Sequence, residues 1–183
     1  KNGSRLESCG KCFENSKIKI VDKDSNELPS NVIGEIICKT DQIMDGYFNR
    51  EKSTEDAIKD GWFYTGDAGY IDEDGFLFIR DRIKDVVISG GENVYPAEVE
   101  NEIMAHPSIV DCAVIGIPDD KWGEAVLAVV VIDPSAFSES EVRAFLKPRL
   151  AGFKIPKEFK IIGSLPRNAA GKVTKGELRE RFS

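Results

Sequence analysis

Four places in this 183-residue chain hold side chains whose types and settings could do chemistry. Asp67 follows Thr65-Gly66 in a predicted turn after the aromatic stretch Trp62-Phe63-Tyr64. A carboxylate there can accept two hydrogen bonds from a vicinal diol such as a ribose offers, or it can simply cap the turn. Arg82 carries five fixed donors and a permanent charge, which suit a nucleotide contact as well as a solvated surface. The paired glycines Gly90-Gly91 permit positive φ and close backbone approach by a ligand, and equally a plain β-turn. Lys172 follows Gly171 in the small-residue loop Leu165–Val173, where a lysine is in most proteins a solvated charge.

Metal and redox chemistry find little support. Cys9-Gly10-Lys11-Cys12 has a C-x-x-C spacing, but no second Cys/His pair follows it, and His106 is the only histidine. Ordinary loop cysteines, with no metal held, are the expectation. No G-x-x-x-x-G-K-[ST] phosphate loop occurs either.

The elements that must position these residues change character along the chain. Up to about residue 80 the pattern is strands and turns. Lys17–Val21 alternates polar and apolar, and Gly34–Cys38 is a second strand. Residues 69–79 form a hairpin about Asp74-Gly75, and Thr54–Lys59 is a short helix. From about residue 83 helices enter. Val86–Ile88 is a short strand, and Pro96 opens a helix with Val99, Ile103 and Met104 on one face. Ile109–Ile117 and Ala125–Ile132 are Val/Ile-rich strands. Ser138-Glu139-Ser140-Glu141 is a capping box opening a helix over 139–150. Phe159–Ile162 is a strand, and Thr174–Phe182 a last helix. The fold class is α+β: a β-rich unit over 1–81, then a small mixed α/β unit over 82–183.

Composition narrows the function classes. Lys plus Arg number 25 against 32 Asp plus Glu, a net charge of −7, which argues against nucleic-acid binding, since a phosphate backbone needs a basic face. No apolar run approaches the ~20 residues of a transmembrane helix, and Lys1-Asn2-Gly3-Ser4 does not begin a signal peptide. Four cysteines without a secretion signal suggest reduced thiols and a cytoplasmic setting.

Taken in order, Trp62–Asp67, Asp81-Arg82-Ile83-Lys84, Ser89–Pro96, Gly116-Ile117-Pro118-Asp119, Trp122-Gly123-Glu124, Phe153–Pro156 and Pro166–Lys172 resemble the C-terminal part of the adenylate-forming superfamily. That superfamily holds acyl-CoA synthetases, luciferases and peptide-synthetase adenylation domains. The resemblance runs from about Lys17 to the end of the chain. It implies that Asp67 and Arg82 hold the ribose of AMP. It implies that Lys84 is the hinge of a mobile C-terminal lid, and that Gly90 and Gly91 face the pantetheine path of CoA. Lys172 would stabilise the charge that develops when a carboxylate attacks the α-phosphate of ATP. Ser89-Gly90-Gly91-Glu92-Asn93 resembles the medium- and long-chain acyl-CoA branch, whereas luciferase and coumarate ligase carry a lysine in this segment.

By this resemblance the chain is expected to be the C-terminal part of an AMP-forming acyl-CoA synthetase acting on a carboxylic, fatty acid, and inactive alone. ATP, CoA and Mg are its expected co-reactants. The Mg ligands, the phosphate loop and the acyl pocket would lie in the remainder of an N-terminal domain. Two rivals stand beside it: an adenylating enzyme that loads a carrier-protein thiol, and a non-catalytic accessory module.

Overall fold

The computed structural model describes residues 4–183, so Lys1-Asn2-Gly3, read above for a leader, lies outside the described residues. The chain divides into two compact units, Lys1–Lys84 and Asp85–Ser183.

The first unit is an antiparallel sheet. Its elements are β1 (Ser16–Val21), β2 (Gly34–Thr40), α1 (Glu51–Ala57), β3 (Ile58–Lys59), β4 (Trp62–Ile71) and β5 (Leu77–Arg82). β4 is central, with β2 on one side and β3 and β5 on the other. Ile20, Val21, Ile36, Ile37, Ala68 and Phe78 are its buried apolar residues. The helix expected over Thr54–Lys59 begins earlier and stops at Ala57. Asp60 and Gly61 both take positive φ (52° and 76°), which makes Asp-Gly a two-residue hairpin turn and draws Ile58–Lys59 into the sheet. The expected hairpin about Asp74-Gly75 is present, with Asp72 Oδ1 accepting from the N–H groups of Asp74 and Phe76.

The second unit contains β6 (Val87–Ser89), β7 (Glu92–Val94), α2 (Pro96–Met104), β8 (Ile109–Asp119), β9 (Gly123–Ile132), α3 (Glu139–Leu146), β10 (Glu158–Ile161) and α4 (Lys175–Phe182). β9 is central. It pairs antiparallel with β8 along its length, parallel with β10, and at Gly123 with Ser89 of β6. Alternate residues of β8 and β9 enter two separate apolar layers, as the two-residue period of a strand requires. Cys112, Val114, Val126, Ala128 and Val130 pack with Val99 and Ile103 of α2 and Val142 and Leu146 of α3. Ala113, Ile115, Leu127 and Val129 pack with Leu165 and with Leu178 of α4. Burial on both faces explains why Ala125–Ile132 of β9 reads as an unbroken apolar run and Cys112–Ile117 of β8 as a near-continuous one.

Several expectations need correction. β6 is offset by one residue, and its partner β7 was not foreseen, because three residues carry no period to read. Met104 is 42% exposed and does not share the buried face of Val99 and Ile103. α3 ends at Leu146 rather than at residue 150, since Pro148 has no N–H with which to continue the helical ladder. Ser138 is the N-cap residue but makes no side-chain cap; its Oγ meets that of Ser140 at 3.0 Å. Among the described residues no helix is long and apolar enough to cross a membrane.

Candidate active-site elements

Asp67 and Arg82 are brought together. They face each other in the register of β4 and β5, and Arg82 Nη1 donates to Asp67 Oδ1 at 2.8 Å. Asp67 therefore lies inside a strand and not in the turn expected of it. The local backbone is nevertheless unusual. Gly66 has φ +71° and donates its N–H to Glu35 Oε1, while Thr65 Oγ1 donates to the Ile36 carbonyl and accepts from the Asp67 N–H. This irregularity presents the Asp67 carboxylate, 27% exposed, beside the half-exposed guanidinium of Arg82. The second carboxylate oxygen can accept from a hydroxyl while the guanidinium edge donates, the combination a diol can use from both sides.

Lys84 is exposed in a short 3₁₀ turn, Ile83–Asp85, and is the last residue of the first unit. The next residue is anchored: Asp85 Oδ1 accepts from Arg179 Nη2 of α4 at 2.8 Å, within the second unit.

Gly90-Gly91 forms the two-residue turn of the β6–β7 hairpin, with φ of +63° and +86°. Both central residues at positive φ is the geometry that selects glycine. The Gly90 N–H donates to the Trp122 carbonyl at 2.8 Å. A groove of ≈ 320 Å³ opens beside this turn, walled by Ser89, Glu92, Trp122, Phe153, Ile155 and Lys157. Trp122 and Phe153 are 41% and 42% exposed. The ammonium groups of Lys121 and Lys157 each stand 4.8 Å from the Trp122 ring centroid. The turn that carries Trp122 is fixed by Asp119. Its carboxylate is held below the ordinary range, first by the Trp122 N–H and then by the Lys121 N–H and Lys157. In the sequence the Trp122 and Phe153 segments carry the family resemblance without a role for either aromatic. The signal that could have found them is an aromatic outside any apolar period with a lysine beside it.

Lys172 lies in the loop between β10 and α4 and is exposed. Its ammonium has no carboxylate partner among the described residues, whereas Lys175 of α4 is 2.8 Å from Glu100 at 16% side-chain exposure. The loop starts and ends on the α4 side of the sheet, where Leu165 and Val173 pack. Val87 and Val94, which flank the Gly90-Gly91 turn, pack in the α2/α3 layer. One sheet thus carries Lys172 on one face and the glycine turn with its groove on the other.

Among the described residues, no group of three or more His, Cys, Asp or Glu is arranged to hold a metal ion. Cys9 and Cys12 are exposed, Cys38 is half-buried, and Cys112 is buried, its thiol pushed well up first by desolvation.

Residues 98–172 match the family described as AMP-binding enzyme C-terminal domain. The chain belongs to the adenylate-forming superfamily and corresponds to its C-terminal portion. It is 44% identical, over 98% of its length and 35% of the relative's, to a fatty acid–[acyl-carrier-protein] ligase, ScoC, of Streptomyces coeruleorubidus. It is 48% identical to a long-chain-fatty-acid–CoA ligase, FadD13, of Mycobacterium tuberculosis, over 82% of this chain and 30% of the relative. Among solved structures, o-succinylbenzoate CoA synthetase from Bacillus subtilis with its acyl-adenylate intermediate superposes with a TM-score of 0.91 at 41% identity. That match covers 96% of this chain and 36% of the other. The chain spans about a third of the length of the curated relatives it matches.

Proposed function

We propose that the chain serves as the C-terminal part of an ATP-dependent acyl-CoA synthetase, which activates a carboxylic acid, of the fatty class, as acyl-AMP and passes the acyl group to CoA. The observation that carries this reading is the placement of Lys172 and the Gly90-Gly91 turn on opposite faces of one sheet. Groups so placed cannot meet the same reacting centre together, and a rotation about Lys84 would present them in turn. A hinge needs only a few element-terminal residues to absorb the torsion. Lys84, between β5 and the anchored Asp85, is such a residue.

In the first step a carboxylate oxygen attacks the α-phosphorus of ATP and pyrophosphate leaves. The two reactants are anions, and the Lys172 ammonium offsets their repulsion and the charge that develops. In the second step the CoA thiolate attacks the acyl carbon and AMP leaves, its ribose held by Asp67 and Arg82 throughout. The groove at Gly90 then receives the thiol-bearing arm. Trp122 and Phe153 supply faces on which a base can stack, and Lys121 and Lys157 supply charge for phosphates. No step is assigned to a metal held by these residues; a Mg–ATP complex enters as substrate, its ligands belonging to the N-terminal portion.

The test follows pyrophosphate release and CoA thioester separately in the complete enzyme, with acids of graded chain length. Thioester that needs both ATP and CoA is expected. Pyrophosphate without thioester would favour the carrier-protein acceptor, a reading supported by the identity to the acyl-carrier-protein ligase. Neither product with any acid would overturn the proposal. In the same assay Asp67→Ala is expected to raise the KM for ATP by about 10–100-fold, since hydrogen bonds to a charged group contribute roughly 1.5–3 kcal/mol each. An unchanged KM would remove Asp67 from the ribose site.

A further inference from the structure

The loop that carries Lys172 has an internal frame and an external anchor. The frame is Asn168, whose Oδ1 accepts from the N–H groups of Ala170 and Lys172 at 3.0 Å each. Its backbone closes the turn, with the Asn168 N–H donating to the Lys172 carbonyl and the Gly171 N–H to the Asn168 carbonyl. An isolated antiparallel bridge between Arg167 and Val173 seals the base. These bonds fix the shape of the loop but do not fix where the loop stands on the sheet.

Leu165 and Val173 seat the two ends of the loop against the sheet, and Arg167 ties the part that carries Lys172 to a strand. Its Nη1 donates to the carbonyl of Gly171, the residue before Lys172, at 2.8 Å. Its Nη2 donates to Asp111 Oδ2 at 2.6 Å. Asp111 belongs to β8, where the register against β9 shifts between Ile109 and Asp111. A bulge of this kind re-aims a side chain at the cost of a regular ladder. The other oxygen of Asp111 is taken by the Cys112 N–H at 3.0 Å, so the carboxylate is oriented before Arg167 reaches it. The pair is 45% and 31% exposed, and ion pairs that open to water add little to stability. A strand bulge, an oriented carboxylate and a forked cation converge on one carbonyl, and that carbonyl belongs to the residue before Lys172.

We propose that Arg167 and Asp111 are positioning residues for Lys172, fixing the height and direction from which its ammonium enters the adenylation site. The proposal rests on the reading of Lys172 given above. It also explains the demand for arginine: one planar fork serves the carbonyl and the carboxylate at once, which a single ammonium on a flexible stem cannot do in fixed geometry.

The test compares two half-reactions in the complete enzyme: acid-dependent ATP–pyrophosphate exchange, and thioester formation from supplied acyl-AMP and CoA. Arg167→Gln is expected to lower the kcat of exchange by about 10–100-fold, the loss that misplacement on the order of 1 Å produces. Thioester formation should stay within about threefold, because the Gly90-Gly91 turn packs in the opposite layer. Arg167→Lys should recover only part of the exchange rate, and Asp111→Asn should fall between wild type and Arg167→Gln. In a Lys172→Ala background, Arg167→Gln should cost nothing further, since residues acting through one group are not additive. Three results overturn the proposal: exchange within threefold of wild type in Arg167→Gln, equal losses in both half-reactions, or a full additional loss in the Lys172→Ala background. Normal exchange by Lys172→Ala itself is a separate result that removes the role of Lys172 and its positioning together.

Discussion

Lys172→Ala in the complete enzyme is expected to lower acyl-adenylate formation by about 10²–10³-fold, the usual loss when one preorganised charge-stabilising donor is removed. Thioester formation from supplied acyl-AMP should remain within about threefold, and the unfolding temperature should hardly move. Each part follows from where the side chain stands. Lys172 is exposed and free of a carboxylate partner among the described residues. Removing it therefore leaves no buried acid uncompensated and no cavity. Lys175, three residues on, is the contrast: it neutralises Glu100, whose Oε1 also accepts the Val114 N–H at 2.7 Å. Lys175→Ala should behave as a stability variant, affecting both half-reactions alike. Arginine at 172 should not restore the rate, since its wider fork places charge differently from a compact ammonium. Equal loss of the two half-reactions in Lys172→Ala would point to damage to the unit as a whole and would refute a step-specific role.

How much of this could be read from the residues depends on the range of the signal. Ile109–Ile117 and Ala125–Ile132 were legible as strands because both are rich in Val and Ile, and burial on both faces leaves Asp111 as the one charged residue in either run. The Thr54–Lys59 helix was misread because one Asp-Gly pair, Asp60-Gly61, outweighs helical propensity by closing a hairpin. Asp67, Arg82, Gly90, Gly91 and Lys172 were each marked by a local motif. What no local motif could state is who meets whom. Asp67 stands opposite Arg82 because of a register that shifts between Ala68 and Gly69. Arg167 meets Asp111 across 56 positions through a bulge in another strand. Trp122 and Phe153 line one groove only because β9 and the turn before β10 bring them beside Gly90. Pairings of this kind are products of sheet topology, and a linear reading reaches them only after the strands have been laid side by side.

The two glycines of the hairpin turn should separate when each becomes alanine, although sequence treats them as a unit. Both have positive φ, so either alanine places an L residue in the left-handed region at a cost of about 1–2 kcal/mol. For a unit of this size that corresponds to a fall of roughly 4–8 °C in Tm per kcal/mol. Their surroundings differ. A Cβ on Gly91 would meet nothing within 4 Å, whereas a Cβ on Gly90 would lie 2.6 Å from Cε3 and 3.0 Å from Cζ3 of Trp122. The indole is the part able to move, since it is 41% exposed and held from beneath by its backbone turn. Gly90→Ala should therefore push the ring into the ≈ 320 Å³ groove and narrow the path assigned to the thiol arm. The expected result is comparable destabilisation in the two variants, with the CoA-dependent step reduced about tenfold or more, some 1.4 kcal/mol or more, in Gly90→Ala alone. Adenylation should be spared in both, because Lys172 stands on the opposite face of the sheet. Trp122→Ala combined with Gly90→Ala sharpens the comparison: with the indole gone, the second alanine has nothing to displace and should add no further loss to the CoA step. Equal CoA-step losses in Gly90→Ala and Gly91→Ala would instead place the sensitivity in the backbone of the turn, and the Trp122 wall would lose its part in the thioester pose.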